Sequence, residues 1–187
     1  MKFLDAQIFK RNPVVAALVD KNWSAGMASS AEIIFLFKSN IMTLGNRIAE
    51  AHSKNKKVLV HADLIEGIGK DKAGLEYLKT LGVDGIISTR NQLIHFAKEL
   101  GLFTVQRLFA IDSMSIKTIQ DSIDFAKPDV IELMPAFVSK VIKKFAAGDI
   151  PVIAGGLIST KEEILEVLSY GAISVSTSES TLWDIKL

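Results

Sequence analysis

Apolar residues along this chain follow two alternating rhythms. Short runs of mostly apolar, often β-branched residues recur at 14–19, 33–37, 58–62, 85–88, 104–109, 130–133, 152–154 and 173–176, and each predicts a strand buried on both faces. Between these runs, apolar residues return every three to four positions, as at Ile41, Leu44 and Ile48 or at Leu75, Leu78 and Leu81. The same spacing recurs at Leu93, Phe96 and Leu100, at Ile116, Ile119 and Ile123, at Val141, Ile142 and Phe145, and at Ile164, Val167 and Leu168. That spacing puts one face of a helix on a core. Gly82, Gly101, Gly148 and Gly171 stand just before the next strand and read as left-handed helix caps. The segment 20–30 is too short for a long helix, and only 181–187 follow the last strand. Residues 1–12 read as a lead-in segment, with a short helix whose apolar face carries Phe3, Leu4 and Ile8.

Regular strand–helix alternation requires a parallel sheet, and eight strands allow it to close. The expected fold is therefore α/β, a small single-domain (β/α)8 TIM-type barrel with short loops spanning 1–187. An open doubly wound sheet is the alternative.

Composition narrows the function classes. With 187 residues and 49% hydrophobic content, the chain can bury a full core. Its net charge of +1 gives no global attraction for nucleic acid or anionic lipid, so any basic surface is local. Having no cysteine, it can form neither disulfides nor thiolate metal sites. No signal-like N-terminus and no apolar run of membrane-spanning length is present, so the expectation is a cytoplasmic chain with no membrane partner. Walker and GxGxxG loops are lacking, as is a metal-ligand cluster, which leaves no cofactor and no metal to expect. No nucleophile and base are paired by motif, and no catalytic residue is assigned.

The strand ends carry the candidate chemistry. Strand seven runs into Gly155-Gly156, after which Ser159, Thr160, Glu162 and Glu163 open a helix. Free backbone amides near such a strand tip favour an anion. Ser176, Thr177, Ser178 and Ser180 bring hydroxyls to the end of strand eight, and the loops after the last two strands are where this fold usually binds phosphate. Period-two alternation puts Leu59, His61 and Asp63 on one side of strand three, Val105, Arg107 and Phe109 on one side of strand five, and Val130, Glu132 and Met134 on one side of strand six. If these sides face inward, His61, Asp63, Arg107 and Glu132 converge at the C-terminal mouth. Arg107 and Glu132 read equally as mutual neutralisation or as binding groups. Asp112 with Ser113 reads as a helix cap, and His52 and His95 as surface residues. Two lysine groups are local basic candidates: Lys54, Lys56 and Lys57 before strand three, and Lys140, Lys143 and Lys144 on a helix.

Taken in order, HADLIEGIGKDKAGLEYL (61–78), VDGIIST (83–89), VQRLFAIDS (105–113), DVIELMP (129–135), PVIAGGLI (151–158) and STSESTLW (176–183) resemble the glycerol uptake operon antiterminator family. Those bacterial regulators respond to glycerol 3-phosphate and act on leader mRNA of glycerol-utilisation genes. The resemblance implies a phosphate site at Gly155, Gly156, Leu157, Thr177 and Ser178. It implies a polyol side at His61, Asp63, Glu66, Arg107 and Glu132; for the RNA, the local basic groups supply the candidates, Lys140, Lys143 and Lys144 on the helix and Lys54, Lys56 and Lys57 before strand three. The first third departs: FKSNI (37–41) puts Lys38 and Asn40 where the family tends to a Gly-Asp step before the Ile. The function expected is a glycerol-3-phosphate-responsive antiterminator, with a homo-oligomer left open. A barrel enzyme acting on a small phosphorylated metabolite is the alternative.

Overall fold

The computed structural model describes residues 5–187, and for Ser113 the backbone only, so the expected roles of Phe3, Leu4 and the Ser113 side chain lie outside the described residues. Nine strands form in chain order: β1 Val14–Val19, β2 Ile33–Asn40, β3 Lys57–His61, β4 Ile65–Glu66, β5 Gly85–Ser88, β6 Phe103–Phe109, β7 Val130–Met134, β8 Val152–Gly155 and β9 Ser174–Thr177. They hydrogen-bond in the order β1-β9-β8-β7-β6-β5-β3-β2, and parallel pairing of β1 with β2 closes the barrel. The two-residue β4 stands outside it, paired with Ser39 and Asn40 at the tip of β2. That pairing carries β2 three residues past its apolar run.

Two apolar layers account for strands buried on both faces. Val15, Ala17, Phe35, Leu59, Val105, Val130 and Ile153 fill the barrel, whereas the alternate residues Ala16, Ile34, Val58, Val60, Ile131 and Ala154 pack outward against helices. The lead-in helix α1, Gln7–Arg11, plugs the N-terminal end: Phe9 is buried, with its ring centroid 5.9 Å from Phe103 and 6.2 Å from Phe35.

Full-length crossovers are α3 Ile41–Ser53, α4 Lys72–Thr80, α5 Asn91–Glu99, α6 Ser113–Ala126, α7 Ser139–Ala146 and α8 Lys161–Ser169. The first crossover is a 3-10 turn and the six-residue α2, Trp23–Ala28. After β9 the chain makes only a 3-10 turn, Ser180–Leu182, and buried Leu182 and Trp183 fill the gap. Trp183 Nε1 donates to the Thr177 carbonyl at 2.9 Å, which locks this substitute for an eighth helix onto the last strand.

Three local expectations need correction. Gly82, Gly101 and Gly171 have positive φ, but Gly148, after α7, does not; a further left-handed cap stands at the end of α6, Lys127 at φ 48°. The third strand ends at His61 and turns into a 3-10 helix over Ala62–Leu64, so strand alternation does not extend to Asp63. Lys56 is no surface cation: it is buried, and its ammonium donates to the Ser29 and Ala31 carbonyls at 2.7 and 2.6 Å. Burial lowers its pKa. Its neighbour Lys57 pairs with Asp84 at 2.9 Å.

Candidate functional site at the C-terminal mouth

Inward-facing residues near the tops of β2, β3, β6, β7 and β9 build one polar layer over the apolar interior. Glu132 is wholly buried on β7. Arg107 on β6 meets it with two hydrogen bonds, Nε to Oε2 at 2.7 Å and Nη2 to Oε1 at 3.0 Å. The Ser176 hydroxyl also donates to Glu132 Oε1. This fork satisfies a carboxylate that could not otherwise sit in the barrel. The network explains Gly155: a Cβ there would stand 2.5 Å from Ser176 Oγ and 2.9 Å from Glu132 Oε1. Phe37 supplies a platform, with its ring 4.1 Å from Arg107 Cζ and 5.8 Å from the His61 ring. The guanidinium is thus fixed from two sides, and Arg107 also lines the pocket at the mouth.

His61 is buried beside this layer. Its Nδ1 has no hydrogen-bond partner among the described residues, and Asp63 Oδ2 lies 3.5 Å away. Burial first, and the Arg107 cation second, lower its pKa, against smaller opposite effects of Asp63 and Glu132. The ring is therefore neutral at neutral pH.

Glu66 does not join the inner group, and Asp63 stands at its edge, one oxygen 3.5 Å from His61 Nδ1. The Asp63 carboxylate accepts from the Ser88 hydroxyl at 3.0 Å and from the Thr89 amide at 2.9 Å, which ties the end of β5 to the β3 loop. Glu66 is exposed and pairs with Lys38 at 3.5 Å. Both line a separate depression of about 540 Å³ with Gly67 and Lys70. The physical reason is the early end of β3, after which neither residue follows the pleat. Asn40 has a local role: its side chain accepts from the Met42 and Thr43 amides and caps α3. Asp performs that task equally well, so at Asn40 the departure from the family pattern keeps the cap.

The loops after β8 and β9 frame a pocket of about 530 Å³ lined by Arg107, Phe37, Gly156, Leu157, Thr177 and Ser178 among others. Thr160 caps α8, and Glu163 accepts from the Ser159 and Thr160 amides at 2.7 and 3.0 Å. The helix start is thus already occupied by a side-chain carboxylate. Donors remain one step earlier: among the described residues, the N–H groups of Gly156, Leu157 and Ile158 have no internal acceptor. Gly156 and Leu157 both hold positive φ, 83° and 65°, a costly conformation for leucine. The Thr177 hydroxyl is spent on the loops, donating to the Ile158 carbonyl at 2.8 Å and accepting from the Glu179 amide at 3.0 Å. Ser178 is exposed.

Residues 14–183 match the family model described as glycerol-3-phosphate responsive antiterminator. The chain belongs to that family. A glycerol uptake operon antiterminator regulatory protein from Listeria monocytogenes has a similar structure, with a TM-score of 0.90 and 34% identity over 96% of this chain and 98% of that one. A related antiterminator-type protein from Thermotoga maritima gives a TM-score of 0.82 and 32% identity over 92% and 98%. The uncharacterized Escherichia coli protein YgcP is 31% identical over 95% of both chains.

Phe37, to which the sequence assigned no role, and Met134, which alternation puts on the side of Glu132, complete the antiterminator-family mouth. Phe37 continues the inward series Ile33, Phe35 along β2, and that parity was the available signal. Met134 places its methyl group against Gly156, where an added Cβ would come within 2.8 Å. The α7 lysines stand apart on the outer wall, with the Lys143 ammonium 5.2 Å from the Tyr170 ring centre. Among the described residues, no helix is long and apolar enough to cross a membrane.

Proposed function

We propose that this protein is a cytoplasmic, glycerol-3-phosphate-responsive antiterminator that binds leader mRNA of glycerol-utilisation genes. The observation that carries the ligand is the meeting of unpaired loop amides at Gly156 and Leu157 with the Arg107 guanidinium across one pocket. The phosphate lies against Gly156, Leu157 and Ser178, with Gly155 and Thr177 shaping the loops behind it. The glycerol end reaches toward Arg107, Glu132 and His61; Asp63 and Glu66 act from the rim. Glu132 keeps Arg107 in place and cancels its charge, so specificity comes from hydrogen-bond geometry at the polyol and from charge only at the phosphate.

Melting-temperature shifts with glycerol 3-phosphate, glycerol and inorganic phosphate test this reading. Only the first supplies both ends, and at 100 times its dissociation constant it stabilises the fold by about 2.7 kcal/mol. Equal shifts with glycerol alone would refute it. For RNA, the candidate contacts Lys140, Lys143 and Lys144 are exposed on α7 or its flank. Their replacement by Ala should flatten the salt dependence of leader-RNA binding. The enzyme reading finds little support, because Glu132 is committed to Arg107 and Ser176 and no lysine joins the inner polar layer among the described residues. Turnover of glycerol 3-phosphate would reinstate it.

A further inference from the structure

Five large apolar side chains stand exposed at three adjacent strand-to-helix junctions around the same mouth. Phe109 ends β6, Ile111 follows it and Met114 opens α6, while Phe137 follows β7 and Leu157 follows β8; Ile111, Met114 and Leu157 are 81%, 79% and 78% exposed. Backbone hydrogen bonds stitch the loops into one surface, Ala110 N–H to the Met134 carbonyl at 2.8 Å and Ala136 N–H to the Gly156 carbonyl at 3.5 Å. Charge is nearly absent from it: segments 109–115, 134–139 and 156–160 contain one ionisable side chain, Asp112, which is occupied in capping α6.

We infer that this rim is the docking face for a second copy of the chain, mouth to mouth about a two-fold axis, and that ligand strengthens the contact. Chemistry selects the partner. RNA and anionic lipid are held by Lys and Arg, and these three segments have none. A neutral apolar face meets its own image without repulsion, which an isologous interface requires. The area also suffices. At the observed exposures, the five side chains offer on the order of 550 Å². A standard interface needs about 800 Å² per partner, roughly 65% of it apolar in homodimers. Leu157 links the two functions, since it lines the ligand pocket and stands on the rim in a left-handed conformation. A phosphate bound to its amide holds that loop, and the dimer held by Leu157 returns the same factor to ligand affinity.

Ligand dependence rests on the proposed function; the surface itself does not. Sedimentation equilibrium of the full chain, with and without glycerol 3-phosphate, is compared with the double variant Ile111→Glu/Met114→Glu, whose two positions lie outside the pocket. Expected results are a twofold loss of solution mass in the variant, an unchanged circular dichroism spectrum, and a several-fold tighter wild-type dimer with ligand. A wild-type monomer at every concentration and in both ligand states overturns the inference, as does a dimer that survives the substitutions. Loss of leader-RNA or vesicle binding by the variant, with wild type monomeric, reassigns the rim to that partner. A rim-dependent dimer indifferent to ligand overturns the coupling. If glycerol 3-phosphate does not bind at all, the proposed function fails while the mass comparison still decides the surface.

Discussion

Removing Arg107 should do two separable things, and their separation tests the account of the mouth. In Arg107→Leu the wholly buried Glu132 loses both charge-assisted hydrogen bonds and keeps only the Ser176 hydroxyl. Breaking a buried pair from one side costs about 3–5 kcal/mol, because an uncompensated charge remains. Solvent screens little of this, since the Arg107 side chain is 12% exposed and that of Glu132 not at all. For a chain of this size, that loss lowers the melting temperature by about 6–20 °C. Arg107→Leu/Glu132→Leu should recover at least about 2 kcal/mol, because well-packed apolar pairs replace buried ion pairs at little net cost. Neither variant should bind glycerol 3-phosphate, so binding and stability part company in the double variant. Urea unfolding, followed by the fluorescence of buried Trp23 and Trp183, measures the first quantity; titration calorimetry measures the second. A single-variant loss below about 1 kcal/mol, or a double variant as unstable as the single, would refute the buried-pair argument.

Gly155→Ala should cost about 1–3 kcal/mol by overpacking and weaken ligand binding as Glu132 and Ser176 are displaced; urea melts and calorimetry that match wild type would count against the close approach. His61 makes stability depend on pH: burial keeps its ring neutral in the fold, so the unfolded chain binds more protons once pH falls below about 6.5. Its contribution is full above that pH and is lost as pH falls toward the lowered native pKa, and His61→Asn should flatten the slope in urea melts taken between those limits. Lys56→Met strands the Ser29 and Ala31 carbonyls and should cost about 1–3 kcal/mol. Because Lys56 is buried, its loss should leave leader-RNA binding unchanged in a filter assay.

Periodicity revealed the barrel because parallel strands are apolar on both faces and the helices between them are not. Leu59, Val105 and Val130 share inward parity with His61, Arg107 and Glu132, so alternation alone placed the inner polar layer. It failed at Asp63, where the strand gives way to a 3-10 turn that periodicity does not register. Glu66 came from the resemblance and not from alternation, and it stands exposed beside Lys38. Lys56 misled for another reason: a lysine between polar neighbours looks solvated, and only the fold brings the Ser29 and Ala31 carbonyls to it. The Glu163 carboxylate was legible as half of a capping box. Its consequence was not, namely that occupying the helix start moves the free amides back to Gly156 and Leu157.

Under the proposed function, the charge balance of the mouth also constrains where RNA can bind. Before ligand arrives, Arg107 and Glu132 cancel and His61 is neutral, so the inner layer carries no net charge. The three loops after β6, β7 and β8 carry no lysine or arginine, so nothing on this rim would hold the phosphates of an RNA backbone. RNA must therefore lie away from the mouth, and the coupling must pass through packed elements. The path available runs from the Leu157 loop into α8 and across Tyr170, whose ring meets the Lys143 ammonium of α7. This puts the candidate RNA contacts on α7, beside the β8–α8 unit against which the phosphate would lie.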